Sequence, residues 1–197
     1  MIDEQKIKEI IDFLNIEFSN DKRRLKHILS MQKMAVELAE IYNVDIKKAK
    51  VSALLHDSTK NFLEDKHISL ALKNFTKIKI NDLPKACLHA FSASQLAKEK
   101  FNITDTDILN AIAYHCCGRK EMSRLEQIIF ISDYIEETRE FADDKLRKLA
   151  KINLDKATYE ILRKSIKYLK LKKRPIANLS IEALSYYKNK TEEINER

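Results

Sequence analysis

Residues 45–60 read DIKKAKVSALLHDSTK, and the rest of the chain can be read outward from them. The short carboxylate of Asp45 suits a helix N-cap, and nothing from Ile46 to Leu55 interrupts a helix. The helix ends Leu54-Leu55-His56-Asp57, so apolar residues run straight into an imidazole and a carboxylate. Ligand-type residues at the apolar end of a helix predict chemistry inside a bundle.

Upstream, Asn20 or Asp21 is placed to cap a helix over 22–42, in which Met31, Met34, Leu38 and Ile41 recur at helical spacing. His27 lies one turn before Met31 on that stripe and so faces inward. A shorter amphipathic helix is predicted over 3–14, with 15–20 as a connection.

Downstream, 58–81 is less periodic and predicts short helical pieces. A helix is expected over 84–100, with Pro84 in its first turn and His89, Ser92, Ala93 and Leu96 on one face. Thr104 or Asp105 caps a helix in which Ile108, Ile112 and His115 align, and Gly118 stops it. Ser123 opens the next, where Ile129, Phe130 and Asp133 share a face. One long basic helix is expected over 143–172, then a break at 174–179 and a last helix from near Ser180.

The chain has one glycine and two prolines in 197 residues, too few turn-formers for sheets. An all-α fold follows. There is no apolar run of membrane-spanning length, and the N-terminus lacks a secretory pattern. Three cysteines, two of them adjacent, make no disulfide framework and point to a reducing, cytoplasmic setting. Net charge is +7, and 145–174 alone holds twelve Lys/Arg against two acids. That basic segment reads as a solvated face. It carries no interleaved aromatics or nucleic-acid motif, so a nucleic-acid partner is not expected.

Four of the five histidines, His27, His56, His89 and His115, sit on or at the end of apolar helical stripes. Asp57 and Asp133 join them. One buried histidine is ordinarily a core residue, but six polar groups together are costly to bury unless a metal takes them up. Imidazole and carboxylate suit Fe, Mn, Co, Ni or Zn, and a carboxylate can bridge two ions for in-line attack on phosphorus. His67, beside Asp65 and Lys66, reads as a surface residue. Cys116 and Cys117 read as packing residues.

The order His27, His56-Asp57, Asp133 resembles the ligand pattern of the HD phosphohydrolase superfamily. Arg23 and Arg24 before His27, LLHDSTK at 54–60, LHAFSASQLA at 88–97, LNAIAYHCCGR at 109–119 and MSRLEQIIFISDYIEETR at 122–139 resemble its YqeK group. The resemblance covers about residues 21–187, with its C-terminal part less close. Cys116-Cys117 stands where that group usually has threonines.

The resemblance implies an HD-domain helical bundle as a single domain 1–197, with a core over about 21–140 and a basic helical extension over about 143–190. It implies symmetrical hydrolysis of a dinucleoside polyphosphate, diadenosine tetraphosphate, to two ADP by a metal-bound hydroxide. It implies iron, one or two ions, held by His27, His56, Asp57 and Asp133. His89 and His115 would complete a second ion site or contact phosphate. Asp57 and Lys60 are the expected catalytic residues. Arg24, His27, Lys60, His89, His115, Arg119 and Arg139 are candidate substrate contacts. For Arg24 the alternative is a salt bridge outside the site, and for Arg119 a cation at a helix C-terminus. The segment 176–181 is expected to close over the nucleotide. A nucleotidase or phosphodiesterase on the same centre, a non-catalytic nucleotide- or RNA-binding protein, and a homodimer stay open.

Overall fold

The computed structural model describes residues 2–73 and 83–195, and no strand occurs among them. The elements are α1 (Glu4–Glu17), α2 (Lys22–Ile41), α3 (Ile46–Leu55), α4 (Glu64–Leu72), a 3-10 turn (Lys85–Cys87), α5 (Leu88–Phe101), α6 (Thr106–Tyr114), α7 (Arg124–Ile135), α8 (Asp144–Ile152), α9 (Leu154–Leu171) and α10 (Asn178–Asn195). The predicted caps hold. Asp21, Asp45 and Asp105 each accept a backbone N–H of the following turn, and Ser123 forms a reciprocal capping box with Glu126.

Four boundaries differ from the sequence reading. Helix α1 runs on through Asn15–Glu17. Pro84 precedes a 3-10 turn, and α5 proper starts at Leu88. Helix α10 starts at Asn178 rather than near Ser180. The basic segment is two helices, because Asn153 turns extended (φ −153°, ψ 106°) and its side chain accepts from the Lys156 N–H. The short pieces expected over 58–81 include α4, while 74–82 lies outside the described residues.

Ile10, Leu14, Met31, Leu38, Leu54, Ile108, Ile112, Ile129 and Tyr187 belong to one large buried cluster. A second, smaller one gathers Leu88, Phe91, Ala113, Cys117 and Ala177 around the start of α5. Helices α2, α3, α5, α6 and α7 pack against one another. They supply the His/Asp residues.

Arg147 departs from the solvated face expected of the basic segment. Its guanidinium donates to the carbonyls of Ile135 (2.9 Å), Ala142 (2.7 Å) and Arg139 (3.1 Å). The first belongs to the last turn of α7, where carbonyls lack intrahelical donors, and the other two lie in the loop after it. One side chain of α8 thus pins the loop that carries Arg139 and Phe141.

Candidate metal centre

His56 and His115 occupy equivalent places, each capping the C-terminus of its helix. The last carbonyls of a helix lack intrahelical donors. Nδ1 of His56 lies 2.6 Å from the Ala53 carbonyl, and Nδ1 of His115 lies 2.7 Å from that of Ile112. A carbonyl only accepts, so both Nδ1 atoms carry the proton and both Nε2 atoms present a lone pair. His27 is set similarly by a carboxylate, with Nδ1 at 3.1 Å from Oε1 of Glu136.

The inward nitrogens meet in pairs. Nε2 of His27 is 3.2 Å from Nε2 of His56, and Nε2 of His89 is 3.2 Å from Nε2 of His115. Asp57 joins the pairs. Its Oδ2 lies 3.9 Å from Nε2 of His27 and 3.6 Å from that of His56. Its Oδ1 lies 3.0 Å from Nε2 of His89 and 3.8 Å from that of His115. Two groups result, His27-His56-Asp57 and Asp57-His89-His115, each compact enough to hold one ion. Asp133 closes the first group, its Oδ1 3.1 Å from Nε2 of His27.

The donor set fits a divalent cation. Oδ1 of Asp57 is buried, and the Nε2 lone pairs of His27 and His56, facing each other at 3.2 Å, call for positive charge between them. Burial holds His56 and His89 below the ordinary histidine range and lowers His115 to about 4. Neutral imidazole is the ligating form. Burial acts to raise Asp57, but its contacts with the His56 and His89 rings and the Lys60 ammonium outweigh it and hold the carboxyl well below its usual range. Asp133 is lowered likewise against burial, by His27, His56 and Arg139. Burial acts to lower His27, and the bond and charge of Asp133 outweigh it, so its pKa is raised.

Cations ring the centre. Nη1 of Arg24 is 2.5 Å from Oδ2 of Asp57, and Nη2 of Arg139 is 2.7 Å from Oδ1 of Asp133. Nζ of Lys60 lies 3.1 Å from Nε2 of His89 and 3.5 Å from Oδ1 of Asp57. Arg119 is not brought in. It grips Glu126 through Nε (2.6 Å) and Nη2 (2.5 Å). Glu126 precedes Asp133 by seven residues on α7, about 10 Å along a helix. The expected phosphate clamp at Arg119 gives way to an ion pair anchoring the start of α7.

His67 is corrected too. It is buried, with Nδ1 2.7 Å from Oγ of Ser92. Ser92 and Thr59 both donate to the His89 carbonyl, at 3.0 and 2.8 Å. His67 therefore braces the backbone behind His89.

Glu136 is the residue missed from sequence. Fully buried, it accepts from His27 and from the backbone and hydroxyl of Thr138. The available signal was spacing, since Glu136 follows Asp133 by three residues, about one turn.

Cys116 packs with its Sγ 3.6 Å from that of Cys87. Both line an apolar cavity of about 480 Å³ together with Tyr134, Phe141, Tyr168 and Ala177. The expected closing segment forms part of its wall, tied by Ser180 Oγ donating to the Cys117 carbonyl at 2.7 Å. A second cleft, of about 800 Å³, is lined by His27, Arg23, Lys26, Arg139 and Phe141.

A family model described as "HD domain" matches residues 24–138, which run from α2 through α7 into the loop after it. The symmetrical bis(5'-nucleosyl)-tetraphosphatase of Halalkalibacterium halodurans is 34% identical over 156 residues, covering 79% of this chain and 83% of that protein. The chain belongs to the HD domain family. Within it the chain sits with the YqeK-type symmetrical bis(5'-nucleosyl)-tetraphosphatases. The protein so named in Bacillus subtilis is 31% identical, over 79% of this chain and 84% of its own length. A solved structure from Clostridium acetobutylicum, described as a predicted HD superfamily hydrolase involved in NAD metabolism, superposes with a TM-score of 0.85. It is 35% identical and matches over 93% of this chain and 97% of its own. The HD pair of this chain is His56-Asp57, at the end of α3.

Proposed function

We propose that the chain hydrolyses diadenosine tetraphosphate symmetrically, adding water across the central P–O–P link to give two ADP. The observation that carries this reading is the pair of three-residue groups sharing Asp57, found in a chain that matches symmetrical tetraphosphatases over most of its length.

The residues that would hold metal are His27, His56, Asp57 and Asp133 on one side and His89 and His115 with Asp57 on the other. When bound, the metal supplies Lewis acidity, lowering the pKa of water and neutralising charge on phosphoryl oxygens. Iron is the proposed metal, supported by the mixed imidazole and carboxylate donors and the likeness of motifs. A reducing cytoplasm is the proposed setting, supported by the odd cysteine count.

The protein's own groups do the positioning. Lys60 sits where its ammonium can donate to a non-bridging oxygen and offset charge that grows during attack. Arg24 and Arg139 each touch a centre carboxylate and keep further N–H donors for the tetraphosphate bridge. Glu136 keeps the proton of His27 on Nδ1. The apolar cavity beside Cys116 and Tyr134 accepts one adenosine.

The test is purified, iron-loaded protein given diadenosine tetraphosphate, with products separated by chromatography. ADP as sole product supports the reading. AMP with ATP, or intact dinucleotide alongside phosphate release from AMP, would sink it. No helix among the described residues is long and apolar enough to cross a membrane.

A further inference from the structure

The apolar cavity accounts for one end of a substrate that has two. Next to it lies a cleft of different chemistry, lined by Arg23, Arg24, Lys26 and Arg139 against the acids Asp21 and Glu140. Asp21 is partly spent, since its Oδ1 accepts the backbone N–H of Arg24 at 2.9 Å. Arg24 and Arg139 already reach the carboxylates of the metal centre. Arg23 and Lys26 are exposed and make no ion pair among the described residues. A path of positive charge therefore leads from the centre outward.

Phe141 stands at the junction and lines both cavities. It is 61% exposed, a large apolar ring left in water beside a charged cleft. One edge is held by Tyr134, with ring centroids 5.0 Å apart, and the Arg139 guanidinium lies 5.8 Å from its centre. Arg147 fixes the carbonyls of Arg139 and Ala142 on either side of it, so the ring is presented by a braced loop. An exposed, braced aromatic flanked by cations is what a nucleotide needs, with a face for the base and charges for its phosphates.

We infer that this cleft is the subsite for the second nucleoside diphosphate, with Arg23 and Lys26 meeting its phosphates and Phe141 stacking its base. The inference rests on the proposed activity and adds to it. A two-ended substrate is selected over a one-ended one at this cleft, not at the metal ligands.

The probe is adenosine 5'-tetraphosphate, which has the same central link but lacks the second nucleoside. Kcat/KM is measured for it and for diadenosine tetraphosphate. The wild-type protein should prefer the dinucleotide. Phe141→Ala should reduce that preference about tenfold, as expected for loss of one base–aromatic stack. Arg23→Ala with Lys26→Ala should raise KM for the dinucleotide and weaken its dependence on salt. These side chains are exposed, and circular dichroism checks that each variant folds. Wild-type preference retained in Phe141→Ala, with normal cleavage to ADP, would overturn the subsite alone. Dinucleotide left intact by the wild-type protein would overturn the proposed activity, and the subsite with it.

Discussion

Asp57 is the residue on which most depends, since it alone belongs to both ligand groups. His56→Ala and Asp57→Ala should each lose bound metal by elemental analysis and fall to background activity, with far-ultraviolet dichroism unchanged. Full activity in either would remove the centre from consideration. Lys60→Ala should keep its metal and lose about a hundredfold in kcat, as for removal of one charge-stabilising donor. A purely structural Lys60 would change stability instead. Glu136→Ala leaves Nδ1 of His27 without its acceptor, and metal titration should show affinity weakened about tenfold to a hundredfold. The six inward residues were legible because each lies on an apolar stripe. Glu136 was not, because it falls just past the last turn of α7, where periodicity no longer says which way a side chain points. His67 was misread for a related reason. Its charged neighbours suggest solvent, and only the packing of α4 on α5 buries it against Ser92.

The caps at Asp45 and Ser123 could be read directly, and those at Asp21 and Asp105 to within one residue, because a short side-chain acceptor before an apolar repeat has one common use. The break at Asn153 could not. Leu146, Ala150, Leu154, Ala157 and Ile161 keep an unbroken three-to-four spacing across it, so periodicity predicts a single helix. The local bond from the Asn153 side chain to Lys156 N–H wins over that pattern. Gly118 ends α6 just after His115 with φ +65°. A Cβ there would meet Phe130 at 3.4 Å and Leu162 at 3.5 Å, ordinary contacts, so the backbone sets the cost. Gly118→Ala should lower stability by about 1–2 kcal/mol in urea unfolding. No change would mean that the turn relaxes freely.

On the scale of the whole molecule, the centre joins five helices that are far apart in sequence. A metal bound there stabilises the folded chain by mass action, about 2.7 kcal/mol at a hundred times its dissociation constant. For a chain of this size that corresponds to a rise in Tm of roughly 5–10 °C. Chelation should reverse it, and His56→Ala should show no such shift in a thermal melt. The all-helical class was legible from one glycine and two prolines. The destination of Arg119 was not, because its partner Glu126 is chosen by how the turn after α6 meets the start of α7.

The shared carboxylate makes the two ion positions unequal partners. An ion held at Oδ2 by His27 and His56 would fix the direction of Oδ1, three ångströms from His89, before any second ion arrives. That second ion would find an oriented ligand, and also the repulsion of the charge already there. Loading of two ions would then be sequential and should give two separated steps in a calorimetric titration, and a single step would count against it.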